Sequence, residues 1–270
     1  MKRFDGREYA DLRPLKVTYN IFEYAPGSVL IELGRTKVLC AVTLQQTIPH
    51  FLRGTSEGWL TAEYALLPAS TSHRTQREIT VMKRHHRSVE ISRLISRSIR
   101  TVVDLSVLGE RSIMIDCDVL QADGGTRTAS IIGAFAALSM AQKQWKAEGI
   151  ITKDLIKHGI AAISVGVMKD HSLVLDPDFQ EDSAGIADMN FIMTHTGDVV
   201  EVQGGAEKEP IAWKTLIAAG ELAQKGIAQI VTFLNENAFE ASQPKQSIQK
   251  NTSPKVALFS LQKRQKASSV

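Results

Sequence analysis

The chain has 270 residues, of which 43% are hydrophobic and 23% are charged. This balance is typical of an ordinary globular protein with one large domain or two closely packed lobes. No apolar run is long enough to cross a bilayer, and the charged N-terminus lacks the apolar segment of a secretory signal. Cys40 and Cys117 lie in strand-like apolar runs and are interpreted as buried free thiols, so a cytoplasmic protein without membrane contact is expected.

The net charge of +3 is unevenly distributed along the chain. Residues 241–270 carry six Lys and Arg and no acid, whereas residues 1–240 carry 26 bases and 29 acids. Within that body, residues 69–100 hold eight bases against Glu78 and Glu90. Nucleic-acid-binding proteins often concentrate charge in this way, although a solvated charged helix is the commoner meaning of such a run.

The first predicted elements are a hairpin and a basic helix. Apolar runs between residues 28 and 45 flank Gly34-Arg35, a pair suited to a two-residue turn. Residues 69–86 are polar and aperiodic, which predicts a loop. A helix is predicted over residues 87–104, with arginines on one face and an apolar stripe on another. The stripe comprises Ile91, Leu94, Ile95, Ile99 and Val102.

A buried strand, a glycine turn and an apolar helix are predicted over residues 113–138. Apolar side chains alternate along the strand at Ile113, Ile115, Cys117 and Val119. Gly124-Gly125 lets the backbone turn sharply, and Thr126 can cap the helix. A helix N-terminus attracts anions, and Arg127 adds fixed positive charge beside it. The turn therefore has the features of a phosphate site, although a plain strand–helix connection has the same spacing.

The C-terminal half alternates strands with helices. Strands are predicted at residues 160–168 and 173–175, and a hairpin over residues 189–202 turns near Gly197. One or two helices are predicted over residues 210–235, with an interruption at Gly226. Paired strands between helices favour an α+β fold with mixed or antiparallel sheets. Residues 241–270 are rich in Ser, Gln, Lys and Asn, which predicts a disordered basic tail after a domain spanning residues 1–240.

Residues 117–129, CDVLQADGGTRTA, resemble the signature of the ribonuclease PH family of phosphate-dependent exoribonucleases. Other blocks agree in order over residues 1–240, and a run this long is far more specific than a short motif. These blocks are Arg3, residues 5–7, 12–14, 58–59, 61–64, 67–68, 87, 90–91, 93–95, 97, 108–111, 202–204 and 206–207. The resemblance implies the fold of ribosomal protein S5 domain 2, with two similar lobes of mixed sheets and helices.

The resemblance also implies phosphorolysis, in which inorganic phosphate attacks the last linkage at an RNA 3′ end and releases nucleoside diphosphates. The reverse reaction adds nucleotides. Because the nucleophile is an anion, the site must bind it beside a polyanionic chain and neutralise developing charge. The implied phosphate-binding residues are Arg87, Gly125, Thr126 and Arg127. The implied catalytic and metal-binding pair is Asp182 and Asp188, with Mg²⁺ as the expected ion, although spacing alone would identify neither.

The family trims tRNA precursors and forms a homohexamer, a trimer of dimers, which the resemblance carries over to this chain. The implied RNA-binding residues are Arg74, Arg77, Arg93 and Arg97. Several positions depart from the family pattern: Ala69 replaces an arginine, His86 a glycine, Ser92 a glutamine, Ser96 a glycine and Gly205 a threonine. Because Ala69 lies in the loop that holds the tRNA stem in the family, weaker tRNA binding is expected.

Two alternatives remain at the level of sequence. One is a catalytically inactive, RNA-binding ring subunit of the exosome type. Such subunits typically lose the phosphate arginines or the aspartates, which this chain keeps. The other is polynucleotide phosphorylase, whose additional domains would not fit within 270 residues. Asp118 and Asp123, which flank the glycine turn, are interpreted as structural.

Overall fold

Two sheets form in the computed structural model, which describes residues 3–82 and 85–237. The first sheet has the order β1-β2-β3-β5-β4, antiparallel except that β4 runs parallel to β5. The second sheet has the order β7-β6-β8-β9 and is antiparallel throughout. The strands are β1 (Leu15–Tyr19), β2 (Gly27–Leu33), β3 (Thr36–Gln45), β4 (Trp59–Leu66), β5 (Ser112–Gln121), β6 (Ile160–Val167), β7 (Leu173–Leu175), β8 (Ala187–Thr194) and β9 (Val199–Ala206).

A long central helix packs between the two sheets. The helices are α1 (Glu78–Val81), α2 (His86–Thr101), α3 (Thr126–Ala147), α4 (Phe179–Ala184) and α5 (Trp213–Asn237), with 3₁₀ turns at His50–Leu52 and Leu105–Leu108. α3 contacts β2 and β3 on one side and β6 on the other. It is therefore apolar and buried around most of its circumference rather than along one stripe. α2 covers β4, and α5 covers β6 and β8, so one apolar core continues through both sheets.

The α+β prediction and its most periodic segments are confirmed. The hairpin predicted over residues 28–45 is β2 and β3, joined at Gly34 with φ 57°. The predicted stripe of α2, from Ile91 to Val102, is fully buried. The alternating residues of β5 face the core, and the strands predicted around residues 160–202 all form. Each of these segments has a clear period of 2 or 3.6, which local geometry converts directly into a buried face.

Three local predictions are wrong. α5 runs without interruption through Gly226, because a Cβ there would lie 2.9 Å from Leu175 Cδ2 and the glycine serves close packing. Thr126 does not cap α3. Gly125 occupies the N-cap with φ 63°, and Thr126 is the first helical residue. Residues 69–86 are not all loop, since they include α1 and the start of α2.

The edge strand β4 was not predicted, although Leu60, Ala62 and Tyr64 alternate inward along it. An edge strand leaves backbone N–H groups without a neighbouring strand. Here the N–H groups of Ala62 and Tyr64 donate to the Oγ atoms of Ser96 and Ser92 on α2, at 2.8 and 3.0 Å. Both serines are departures from the family pattern, and their role in this chain is to satisfy the edge of the sheet.

The two cysteines are free and buried, as predicted, with their Sγ atoms 3.7 Å apart on adjacent strands. Within the described part of the chain, no helix combines the length and apolar character needed to span a membrane. The basic tail predicted at residues 241–270 lies outside the described residues, as do Lys83 and Arg84 of the basic segment.

Candidate active site

A cleft of about 650 Å³ opens where the end of the first sheet meets the second. Its walls come from the turn between β5 and α3, the N-terminal end of α2, α4 and the start of β8. The structure brings together in this cleft all of the residues predicted to bind phosphate or to act as carboxylates. They are Arg87, Gly125, Thr126, Arg127, Asp182 and Asp188.

Residues 123–126 form what we call the phosphate turn. Gly124 and Gly125 have φ values of 75° and 63°, a backbone conformation that residues with a side chain rarely adopt. A Cβ on Gly124 would also lie 2.8 Å from Pro177 O, so the turn packs directly against the segment that leads into α4. The first N–H groups of a helix have no helical partners, and the residues that carry them in α3 line the cleft, which is the arrangement that binds anions.

The side chain of Thr126 is held by a residue of the first sheet. Tyr64, on β4, is buried, and its Oη lies 2.9 Å from Thr126 Oγ1. Burial raises the pKa of Tyr64, while Thr126, Arg87 and Arg127 act in the opposite direction. The phenol is therefore neutral at physiological pH and can donate to Thr126. Sequence reasoning placed Tyr64 in a family block but assigned it no role.

Two arginines face the phosphate turn from neighbouring helix N-termini. Arg127, on α3, donates from Nη2 to Glu90 Oε2 at 3.0 Å. Its Nε is buried and finds no hydrogen-bond partner among the described residues. A buried guanidinium N–H without an acceptor is costly, and an anion in the cleft would satisfy it. Arg87, in the first turn of α2, is close enough to the cleft to influence both Tyr64 and Asp182.

The two predicted carboxylates lie on the opposite wall. Asp182 belongs to α4 and Asp188 to the start of β8. Burial, then Asp188 and Glu207, raise the pKa of Asp182, and Arg87 and Arg127 partly offset this rise. Asp182 therefore keeps a proton at higher pH than an ordinary aspartate, a property suited to a proton donor. Because Asp182 is influenced both by acidic residues and by Arg87 and Arg127, the arginines and the carboxylates face one another across the cleft.

A buried ion-pair network holds this wall in place. Arg3 donates two hydrogen bonds of 2.7 Å to Glu181, the residue before Asp182. Arg13 donates to both carboxylate oxygens of Asp176, at 2.9 and 2.6 Å, and also to the carbonyl of Asp123. The side chains of Arg3 and Arg13 are 1% and 3% exposed. Sequence reasoning missed this network, because charged residues near a terminus have no periodic signal that marks them as buried.

Asp123 has the structural role expected of it. Its carboxylate accepts from Nε and Nη2 of Arg35, at 3.0 and 3.1 Å. Its backbone N–H donates to Thr36 Oγ1 at 2.9 Å. These contacts fix the start of the phosphate turn against the hairpin of β2 and β3. Arg35 also lines the cleft and adds positive charge to its rim.

The residues predicted to bind RNA are divided between two surfaces. Arg74 and Arg77 are exposed in the segment after β4, whose residues 69–72 line the cleft. Arg93 and Arg97 line a separate groove of about 340 Å³ along α2, together with His86 and Glu90. Arg97 forms an ion pair with Glu201 on β9. Arg74 and Arg77 thus follow the cleft-lining residues 69–72 along the chain, whereas Arg93 and Arg97 line the groove along α2.

Comparisons with known proteins identify the family of this chain. Residues 11–144 match the profile described as 3′ exoribonuclease family, domain 1, and residues 158–226 match domain 2 of the same family. Ribonuclease PH of Moorella thermoacetica is 49% identical over 231 residues, covering 86% of this chain and 92% of that protein.

Solved structures show the same fold at lower identity. Rice (Oryza sativa) Rrp46 has a TM-score of 0.71 at 20% identity, covering 86% of this chain and 98% of that one. A chain of the Archaeoglobus fulgidus exosome with RNA bound to the active site has a TM-score of 0.72 at 22% identity, covering 86% and 92%. The architecture of two sheets around one central helix is therefore shared with these exosome subunits.

Proposed function

The chain belongs to the 3′ exoribonuclease family of ribonuclease PH. From this membership we propose the residues of its active site, the metal ion that it binds, its oligomeric assembly and the RNA that it trims. It is a phosphorolytic 3′–5′ exoribonuclease with inorganic phosphate as co-substrate. We propose that its main substrates are tRNA precursors, with rRNA ends as a second class, which it shortens in the cytoplasm while releasing nucleoside diphosphates. The observation that supports the site best is the single cleft in which an anion-binding turn faces two carboxylates.

The phosphate turn and the arginines bind the nucleophile. The first N–H groups of α3, at Gly125 and Thr126, donate to the phosphate oxygens, and Arg87 and Arg127 neutralise the phosphate charge. In the reaction a phosphate oxygen bonds to the phosphorus of the last linkage while the bond from phosphorus to O3′ breaks. The negative charge that gathers on the phosphorus oxygens is stabilised by donors already in place, which need no reorganisation.

The carboxylates serve the leaving group. Burial, with the nearby Asp188, raises the pKa of Asp182, so this residue takes up a proton more readily than an ordinary aspartate, and in the protonated form it can donate to O3′ of the shortened RNA. Asp182 and Asp188 are also the residues that would hold Mg²⁺. Two adjacent carboxylates, with water and substrate oxygens, make a donor set that suits this ion. Bound there, Mg²⁺ would neutralise charge where the phosphate and the RNA chain meet.

One assay tests this assignment. The protein is incubated with 3′-extended tRNA, with and without phosphate, and the released nucleotides are identified. Nucleoside diphosphates are expected only with phosphate, whereas monophosphates released without it would refute phosphorolysis. Arg127→Ala should raise the KM for phosphate by roughly 10- to 100-fold, the usual effect of losing hydrogen bonds to a charged group.

Asp188→Asn separates the chemistry from the fold. This variant should fold and bind RNA, yet lose on the order of 100-fold or more in kcat. Asp154→Asn, an exposed aspartate paired with Lys146 outside the cleft, is the matched control and should retain full activity. Normal turnover by Asp188→Asn would remove this residue from the site.

The RNA body is held by basic residues outside the cleft. We assign this role to Arg74, Arg77, Arg93 and Arg97, which are charged and solvent-accessible. Affinity for tRNA should fall steeply with salt, since neutralised phosphates release counterions. Arg74→Ala and Arg77→Ala should each lower the salt slope by about 1 with the KM for phosphate unchanged. Ala69→Arg should strengthen binding, and an unaltered slope in all three variants would identify this segment as a solvated face.

The inactive exosome-type alternative is not favoured, because Arg87, Arg127, Asp182 and Asp188 are all present in the cleft.

For the assembly we propose a homohexameric ring, a trimer of dimers. Exposed apolar residues on β9 and α5, namely Val199, Val202, Trp213 and Ile217, support burial of this surface between copies. A mass measurement in solution tests the ring, and a monomer at micromolar concentration would contradict it.

A further inference from the structure

Phe179 is an exposed aromatic residue inside an otherwise polar cleft. It is 57% exposed and lines the same wall as Asp182. Among the described residues that line the cleft, Tyr64 is the other aromatic, and its ring is buried with its hydroxyl engaged by Thr126. Phe179 is thus the ring whose face is available to a ligand in this part of the cleft.

The position of Phe179 is fixed relative to both Asp182 and the phosphate turn. It begins α4, and Asp182 follows three residues later on the same face of that helix. On its other side, a Cβ on Gly124 would lie 3.0 Å from the Phe179 backbone nitrogen, so the phosphate turn is in direct contact with this residue. Phe179 thus lines the cleft next to both the phosphate turn and the helix that carries Asp182.

The segment that carries Phe179 is held rigidly. Asp178 caps α4 by accepting from the N–H groups of Gln180 and Glu181, each at 2.9 Å. Glu181 is in turn fixed by its two bonds to Arg3. The ring is therefore presented on a fixed backbone, which reduces the entropy that binding must overcome.

We propose that Phe179 stacks on the base of the 3′-terminal nucleotide of the RNA substrate. The inference rests on the proposed function, because phosphorolysis places that nucleotide between the phosphate turn and Asp182. Its base needs a contact that all four bases can make, since an exonuclease meets each in turn. Every base has a π-face, so stacking on an aromatic ring meets this need without hydrogen-bond readout.

Fluorescence of 2-aminopurine tests the proposal directly. An RNA with 2-aminopurine as its 3′-terminal base is bound without phosphate, so no turnover occurs. The wild type and Phe179→Tyr should quench the fluorescence. Phe179→Ala and Phe179→Leu, the latter apolar but without a ring, should not quench it and should bind the RNA roughly 5- to 100-fold more weakly.

The kinetic signature separates stacking from a general structural role. Phe179→Ala should raise the KM for RNA while the KM for phosphate and the melting temperature stay unchanged. Phe4→Leu, which changes an exposed phenylalanine outside the cleft, is the matched control and should behave as wild type. A 2-aminopurine placed in the interior of the RNA should give the same signal with and without the Phe179 ring.

Two results would overturn the proposal. One is quenching and RNA affinity that stay at the wild-type level in Phe179→Ala and Phe179→Leu. The other is an altered oligomeric mass in Phe179→Ala, which would make the ring part of a subunit interface. Failure of the proposed function is distinguishable, because wild-type protein would then quench 2-aminopurine yet release no nucleoside diphosphates when phosphate is added.

Discussion

At the residue scale, Thr126 lines the cleft as the resemblance implies, but it does not have the capping role that the sequence predicts. The sequence predicts that its hydroxyl caps α3 and that it binds phosphate. The structure gives the N-cap position to Gly125 and places Tyr64 Oη within 2.9 Å of Thr126 Oγ1. Because the hydroxyl does not cap the helix, it remains near the cleft, where Tyr64 fixes its orientation.

Tyr64→Phe removes that single hydrogen bond while leaving the ring in the core. We expect the KM for phosphate to rise about 2- to 12-fold, the worth of one neutral hydrogen bond, with RNA affinity unchanged. Steady-state kinetics at varied phosphate measure this. Tyr24→Phe, at a highly exposed position outside the cleft, is the control. An unchanged KM for phosphate in Tyr64→Phe would show that Thr126 needs no support.

Asp182 yields a prediction about pH. Burial and Asp188 raise its pKa above that of the unfolded chain, so the folded state binds this proton more tightly. The resulting stability is fully present below the unfolded pKa of about 4 and is lost as pH rises through the folded value. Asp182→Asn, which stays uncharged, should therefore raise the melting temperature at pH 7 by on the order of 1–3 °C and have no effect near pH 3.

Calorimetry at the two pH values checks the Asp182→Asn prediction. The variant must also lose activity at both, since it has no proton to donate. Mg²⁺ should stabilise the wild type more than this variant if the carboxylates hold the ion. Equal stabilisation at pH 3 and pH 7 would mean that the benefit comes from packing rather than from removed charge.

At the element scale, the contact between α2 and β4 explains two residues that depart from the family pattern. Ser96 Oγ accepts from the N–H of Ala62 and donates to the carbonyl of Ser92, at 2.8 and 2.7 Å. Ser92 Oγ accepts from the N–H of Tyr64 at 3.0 Å. The helix that carries Arg87 is thereby fixed to the strand that carries Tyr64, so two residues of the cleft keep their spacing.

Ser96→Ala would leave the buried N–H of Ala62 without its acceptor. We expect a loss of about 1–3 kcal/mol in the free energy of unfolding, measured by urea denaturation. Ser98 provides a matched control on the same helix, because it is buried and its hydroxyl has no partner among the described residues. Ser98→Ala should be neutral or slightly stabilising. If both variants lose the same stability, the helix–strand bonds contribute little.

At the scale of the whole molecule, the segment before β1 connects the two sheets. Arg13 precedes β1 in the first sheet, whereas Asp176 follows β7 in the second. The same guanidinium contacts the carbonyl of Asp123, and a Cβ on Gly125 would lie 2.8 Å from its Nη2. One buried arginine thus supports the phosphate turn and joins the halves of the fold.

Arg13→Ala should cost about 3–5 kcal/mol of stability, because Asp176 would remain buried without a bidentate partner. It should also weaken phosphate binding, since the turn loses its support. Lys16→Ala, which removes an exposed ion pair with Glu32, should cost about 1 kcal/mol or less. Denaturation midpoints and the KM for phosphate report the two effects, and wild-type values for Arg13→Ala would exclude this coupling.

The sequence by itself determined the elements whose periodicity is local. The alternation from Ile113 to Val119, the glycine pair after it and the apolar stripe of α2 each specify a buried face through the geometry of neighbouring residues. The resemblance over residues 1–240 implied the phosphate-binding and carboxylate residues, among them Arg127, Asp182 and Asp188, whose roles stay proposals. The division of the chain at residue 240 stays a prediction, as the tail lies outside the described residues.

Only the tertiary structure determined which residues that are distant in sequence contact one another. Arg3 and Glu181 are 178 positions apart, yet their contact fixes the helix that carries Asp182 and Phe179. Gly124 approaches the backbone of residues 177–179, at the start of α4, because α3 packs against both sheets and brings these two segments together. Such contacts join distant segments and depend on how the sheets pack, so no local pattern encodes them. For this reason the sequence could point to residues that line the cleft, while the buried arginines and the exposed ring of Phe179 were not predictable from it.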